Sequence, residues 1–323
     1  MALLHYCKTR TRAECDPSVH PLYEQYRGEL LHQKDTLEEA QRQLADHSLN
    51  IIFHKPHEDF SLPLYKNMFG LYLCDVNVNG VACRFVIDTG AQLSSIRHDM
   101  MVRLGISKSN GSIEVGAASG TRKELKGCVL RSLVFGQAAY ENVPVLCLDK
   151  HDFSLRFADV DIFRFDGILG WDILRNFDFE LDTVAMQLKF MKNRFRFAYE
   201  NMVSGLFPIF LAEDERGNLL KMGFDSGSRH SWFSMESAER LRYVEHGEIT
   251  AVGFGVHGAE KMHLRLYKDM RFSLYRADIH IHNMMSGNCN ILPEIVCDGV
   301  FGNEIFRNRR IRLINSKGMV LLV

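Results

Sequence analysis

Apolar positions in this chain follow two different rhythms. Over residues 21–47, Tyr23, Leu30, Leu37 and Leu44 recur every seven positions, with Tyr26 and Ala40 three places further on and Glu, Gln, Arg and Lys filling the rest. That spacing predicts an amphipathic helix with one apolar stripe. Gln33 and His47 interrupt the seam, so packing on the protein's own body is preferred over a coiled-coil partner. Residues 49–53 read as a short strand. After Pro63 the pattern becomes alternating: residues 71–78, the pair Asn79-Gly80, then residues 81–87 predict a β-hairpin closed by the dipeptide that tight primed turns prefer. The hairpin runs into Asp88-Thr89-Gly90-Ala91, followed by a short helical stretch at 97–104, a Gly/Ser-rich turn at 116–120, further alternating strands and the segment Asp166-Gly167-Ile168-Leu169-Gly170-Trp171-Asp172.

The same order then recurs. An offset of 137 residues lays Gly80 on Gly217, Asp88 on Asp225, Gly90 on Gly227, Leu104 on Leu241 and Val115-Gly116 on Val252-Gly253. Near the C-terminus the offset falls to 132 and lays residues 166–170 on residues 298–302, Asp298-Gly299-Val300-Phe301-Gly302. A five-residue difference is what a surface loop absorbs. Two copies, each far longer than a solenoid repeat, indicate a duplicated domain rather than an array. The expected organisation is an N-terminal helical extension over 1–62, a first lobe over 63–195 and a second over 196–323.

Composition changes this picture little but removes several alternatives. The 323 residues contain 46% apolar and 24% charged side chains, an ordinary globular mixture. Lys and Arg total 39 against 40 Asp and Glu, which leaves no broad basic footprint for nucleic acid. Eight cysteines without CxxC pairs suggest neither a disulfide framework nor a zinc ribbon; Cys74, Cys83, Cys128, Cys147 and Cys297 lie in apolar runs and read as reduced, buried thiols. Residues 1–17 lack the apolar core of a secretory signal, and no stretch approaches a membrane span. The expected location is cytoplasmic, or secreted only if a leader has been removed.

An Asp-[Ser/Thr]-Gly triplet alone is weak evidence, since most are plain turns. Here each triplet, Asp88-Thr89-Gly90 and Asp225-Ser226-Gly227, ends an apolar strand, and an Asp-Gly-apolar-apolar-Gly segment follows each at similar distance. With these residues the sequence resembles the aspartic proteases: residues 85–91 with 167–172 look like a retropepsin subunit, and residues 224–228 with Trp232 look more like a pepsin lobe. The resemblance spans about residues 66–323. It implies a mostly β, bilobal pepsin/retropepsin-like fold with pseudo-twofold symmetry plus an N-terminal helix, and an aspartic endopeptidase that uses Asp88 and Asp225 without metal or cofactor. Two carboxylates about 3 Å apart cannot both ionise at modest pH, so the pair shares one proton and can activate a water between base and acid.

By the same resemblance Thr89, Gly90, Ala91, Ser226, Gly227 and Ser228 support the two aspartate loops. Ser228 can offer a hydroxyl to Asp225 where Ala91 cannot serve Asp88, so Asp225 is expected to ionise first and Asp88 to hold the proton. Asp172 fits the retropepsin pattern, whereas its counterpart is Glu304. Gly116, Ala117 and Ala118 in one turn, and Gly253, Phe254 and Gly255 in the other, would be flaps over a peptide or protein substrate. The second turn also spells Gly-x-Gly-x-x-Gly, but alternation after it denies the helix that a dinucleotide site requires. His280 and His282 share a strand face with no third ligand in view, so no metal is expected. Residues 319–323, and with them 49–53, are expected in a buried sheet between the lobes. A monomer holding both lobes is expected, with a homodimer as the alternative assembly. A peptide-binding module that cleaves nothing is the alternative function. The N-terminal helix is read as packing, against a prosegment reaching the dyad with Lys34, Lys55 or Lys66, or a partner-binding helix.

Overall fold

The structure is a computed structural model that describes residues 33–45, 50–116, 122–149, 152–153, 156–157, 160–161, 165–192, 194, 196–197, 200–255, 258–287 and 297–323, without side chains at 33–36, 156–157, 160–161, 254–255 and 258–260. Strand dominates. The predicted hairpin forms from Tyr72–Val78 and Val81–Ile87, and both turn residues, Asn79 and Gly80, adopt the positive φ that a primed turn demands. Inward positions such as Val76, Val78, Phe85 and Ile87 are buried, whereas Asp75 and Arg84 face out and pair at 2.9 Å.

Each lobe is built on one sheet with the same core. In the first, Val81–Ile87 runs parallel to Gly167–Leu169, which lies antiparallel to Ser95–Ile96, which runs parallel to Ala138–Cys147. The second repeats this sequence of pairings with Leu219–Phe224, Gly299–Phe301, Trp232–Ser234 and Ala277–Gly287. The registers correspond: Phe85 pairs with Gly167 and Met222 with Gly299. The fold is therefore bilobal and pepsin/retropepsin-like, with pseudo-twofold symmetry.

A five-stranded sheet joins the lobes, in the order Phe60–Pro63, Gln187–Met191, Asp178–Asp182, Arg310–Ile314, Met319–Leu322. Its central antiparallel pair brings one strand from each half of the chain, with Glu180 opposite Arg312. Glu180 is buried there and held by the Arg312 guanidinium at 2.6 Å and Lys189 at 3.3 Å. The C-terminal run takes the predicted place, but residues 50–53 do not, and residue 49 lies outside the described residues. Ile52–His54 instead pairs with Ala138–Cys147 at the edge of the first-lobe sheet, because Phe53 stacks on Tyr140 at 4.3 Å. Phe60–Pro63 is the strand that joins the inter-lobe sheet, with Phe60 stacked on Phe190.

The predicted N-terminal helix is described over Gln33–Leu44; Tyr23, Tyr26 and Leu30 lie outside the described residues. It packs on the first lobe. Leu37 and Leu44 are buried, and the helix end presses so closely that a Cβ at Gly111 or Gly127 would strike the Gln43 or Leu44 carbonyl oxygen at 2.0 and 2.7 Å. Cys74, Cys83, Cys128 and Cys147 are buried free thiols, and Cys297 is partly buried.

Candidate active site

The strands ending at Ile87 and Phe224 deliver the two Asp-[Ser/Thr]-Gly loops to the seam between the lobes, where the loops lock onto each other. Thr89 donates its hydroxyl to the Phe224 carbonyl at 2.7 Å and accepts the Ser226 N–H at 3.0 Å; Ser226 donates to the Ile87 carbonyl at 2.8 Å and accepts the Thr89 N–H at 3.0 Å. Both hydroxyls are fully buried, and four polar groups are satisfied reciprocally without water. A threonine or serine is the residue type that fits: one donor, one acceptor, a short stem.

Around this lock Asp88 and Asp225 face each other and are hydrogen-bonded together. Each carboxylate also accepts two backbone N–H groups from its own loop, Gly90 and Ala91 at 3.0 Å for Asp88, Gly227 and Ser228 at 2.8 and 3.0 Å for Asp225. Glycine is required beside each. A Cβ on Gly90 would stand 2.4 Å from the Asp225 carboxyl carbon, and one on Gly227 2.5 Å from that of Asp88. Burial raises both carboxyls above the ordinary range, and the Asp88 charge raises Asp225 further; the backbone N–H bonds oppose this only in part. The pair therefore holds one proton over a wide range and titrates as a unit. Asp88 and Asp225 as whole residues are partly exposed.

One expectation fails. The Ser228 hydroxyl donates to the His230 carbonyl at 2.8 Å and is not aimed at Asp225, so it supplies no reason for Asp225 to ionise before Asp88. Burial raises both members of the pair. Ala91 keeps its role through its backbone alone.

The strands Gly167–Leu169 and Gly299–Phe301 run beneath the loops, and their hydrogen bonds recur at equivalent positions. Asp88 and Asp225 donate their backbone N–H groups to Leu169 and Phe301; Asp166 and Asp298 accept from the backbone of Arg84 and Lys221, each at 2.8 Å. Glu304 stands in for Asp172. Asp172 accepts the Ser94 N–H and hydroxyl at 2.9 and 2.7 Å, and Glu304 accepts the Ser231 N–H at 2.6 Å; the Ser94 and Ser231 hydroxyls in turn accept the Gly170 and Gly302 N–H groups, each at 3.0 Å. Ser94 and Ser231 were not singled out from sequence, although both sit six residues beyond their aspartates. Trp171 and Asn303 were also missed as ties: Trp171 donates to the Gly205 carbonyl and Asn303 to that of Gly70, each reaching the opposite lobe.

The candidate flaps are two antiparallel hairpins. Lys108–Gly116 pairs with Arg122–Phe135, and Gly247–Gly255 with Gly258–Leu274. Gly116 and Gly253 lie on their strands, Gly255 pairs with Gly258, and the Phe254 backbone is placed; Ala117, Ala118 and the Phe254 side chain lie outside the described residues. His280 and His282 do have a third neighbour: Asp269, on the adjoining strand, accepts from both. Sequence distance hid it. Among the described residues no helix is long and apolar enough to cross a membrane.

Residues 74–173 match the sequence model of a family described as aspartyl protease. The chain is also similar to the crystal structure of a retropepsin-like aspartic protease from Rickettsia conorii, at 20% identity over 44% of this chain and 92% of that one, with a TM-score of 0.28. No curated protein matches it significantly.

Proposed function

We propose that the protein is an aspartic endopeptidase in which residues 74–173, matched by the aspartyl protease family model, supply one half of the site and the second lobe supplies the other. The observation that carries the reading is the facing pair Asp88 and Asp225, held by the reciprocal Thr89 and Ser226 bonds. A water between the carboxylates loses its proton to the ionised one as it attacks a peptide carbonyl. The protonated one stabilises the developing oxyanion, and the carboxyl that took the water's proton then gives it to the leaving nitrogen as the C–N bond breaks. Thr89, Gly90, Ala91, Ser226, Gly227 and Ser228 act by fixing the carboxylates before substrate arrives.

The lobes, taken as 63–195 and 196–323, descend on this reading from one duplicated unit, and a monomer suffices. Recurrence of the pairing order and of the backbone bonds at offsets of 137 and 132 supports this. The two hairpins would close over an extended peptide, which binds by backbone hydrogen bonds. The dyad's raised carboxyls imply activity that falls when both are protonated and falls again when both are ionised, so the working range lies above that of ordinary carboxyls, mildly acidic to neutral.

The test is cleavage of a mixed peptide library by the purified chain. Pepstatin-sensitive hydrolysis is expected, reduced about a thousandfold or more in both Asp88→Asn and Asp225→Asn. Binding of peptides without turnover at any pH between 4 and 8 would overturn the reading and leave a peptide-binding module. Activity that falls on dilution in parallel with dimer dissociation would overturn the monomer.

A further inference from the structure

Well away from the dyad in sequence and in its strands, the outer face of the second-lobe sheet gathers three chemistry-bearing side chains that endopeptidase function leaves unused. His280 and His282 occupy alternate positions of Ala277–Gly287 and so project to the same face. The neighbouring strand, Gly258–Leu274, is held in register on either side of position 269 by the pairs Met270–Ile281 and Lys268–Asn283. Asp269 thereby comes opposite His282. Its φ of +52° is one that aspartate tolerates better than most residues.

All three side chains are exposed, and their potential ligand atoms lie within 4.8 Å of one another. His280 Nε2 is 3.2 Å and His282 Nδ1 3.1 Å from the same Asp269 oxygen, and the two rings stand 4.3 Å apart, inclined at 59°. With metal–nitrogen and metal–oxygen bonds near 2.0–2.2 Å, ligand atoms around a tetrahedral zinc ion stand about 3.3 Å apart. The two donor separations are already close to that. Imidazole and carboxylate together suit a borderline divalent ion rather than calcium or magnesium.

We propose that Asp269, His280 and His282 form a zinc(II)-binding site on the second lobe, completed by water. Binding replaces the two imidazole N–H protons that otherwise bridge to Asp269, and it ties two adjacent strands across the sheet. Arg271 stands opposite His280 in the strand register, so a cationic side chain borders the site. The site goes beyond the proposed proteolysis and does not depend on it.

The test is calorimetric titration of the metal-stripped full chain with zinc chloride, beside His280→Ala/His282→Ala and Asp269→Asn. Wild type is expected to bind one zinc ion more than the double variant, Asp269→Asn is expected to bind it at least about tenfold more weakly, and zinc is expected to raise the Tm of wild type more than that of the double variant. Equal zinc stoichiometry and equal Tm response in wild type and double variant would overturn the proposal, whatever other histidines and cysteines bind. Circular dichroism checks the fold, and His280→Gln/His282→Gln replaces the alanine pair if that pair unfolds.

Discussion

The two carboxylates beneath the aspartate loops do the same job in opposite electrostatic conditions. Asp172 in the first lobe is 2% exposed, and burial pushes it up to about 6 despite hydrogen bonds from Ser94 and from Gln41 of the N-terminal helix at 3.1 Å. Glu304 in the second lobe is also penalised by burial, but contacts with His230 and Ser231 outweigh that and hold it below the usual range. The extra methylene lets Glu304 reach toward half-exposed His230, whereas the helix closes over Asp172. Pseudo-symmetry in this fold belongs to the backbone bonds. It does not extend to the solvent around them, so the halves should respond differently to pH while responding alike to loss of the lock.

The largest expected effect tests the alike part. Thr89→Val and Ser226→Ala each leave a buried N–H and a buried carbonyl without partners, so each should cost about 2–5 kcal/mol in urea-unfolding free energy, by similar amounts. A cost confined to one of the two would break the symmetry of the lock. Next comes Asp172→Asn. A buried acid whose pKa is raised favours the folded state most below its unfolded value near 4, and that contribution is lost as pH rises towards 6. Wild type should therefore lose about 2.5 kcal/mol between pH 4 and 7 that Asp172→Asn does not lose. Glu304→Gln should behave in the opposite sense, because a lowered acid stabilises above its unfolded pKa and is lost as pH falls through the folded one. If both variants followed the wild-type pH dependence, the contrast between the lobes would be gone.

Smaller effects sharpen the contrast. Gln41→Ala removes a hydrogen bond to a buried carboxylate and should cost about 1.5–3 kcal/mol at pH 7, less at pH 4 where Asp172 is neutral. His230→Ala should move the Glu304 titration upward, read by carboxyl NMR, with a stability change of at most about 1 kcal/mol because the histidine is half exposed.

Much of the site was legible in the residue order. Matching of Asp88 with Asp225, of the glycines beside them and of the two Asp-Gly-apolar-apolar-Gly strands depends on local periodicity and on a repeat, both properties of a linear string. The structure places all of these at one seam. Three readings needed more. Direction of the Ser228 hydroxyl depends on which acceptor the turn brings near, and the turn brings the His230 carbonyl. Of 49–53, the described part lies elsewhere: Ile52–His54 pairs with Ala138–Cys147, where Phe53 stacks on Tyr140, and Phe60–Pro63 takes the place in the inter-lobe sheet. Asp269 joined the two histidines through strand register alone.

By itself, then, the sequence determined the hairpins, the repeat and the identity of the two facing aspartates, because alternation, turn chemistry and spacing act over a few residues. Only the tertiary structure decided the environment of each group. Whether Asp172 lies under a helix, Glu304 beside a histidine or Asp269 against two imidazoles depends on segments far apart in the chain. The free energy of an ionisable group is set by what surrounds it, and residue order does not state what surrounds it.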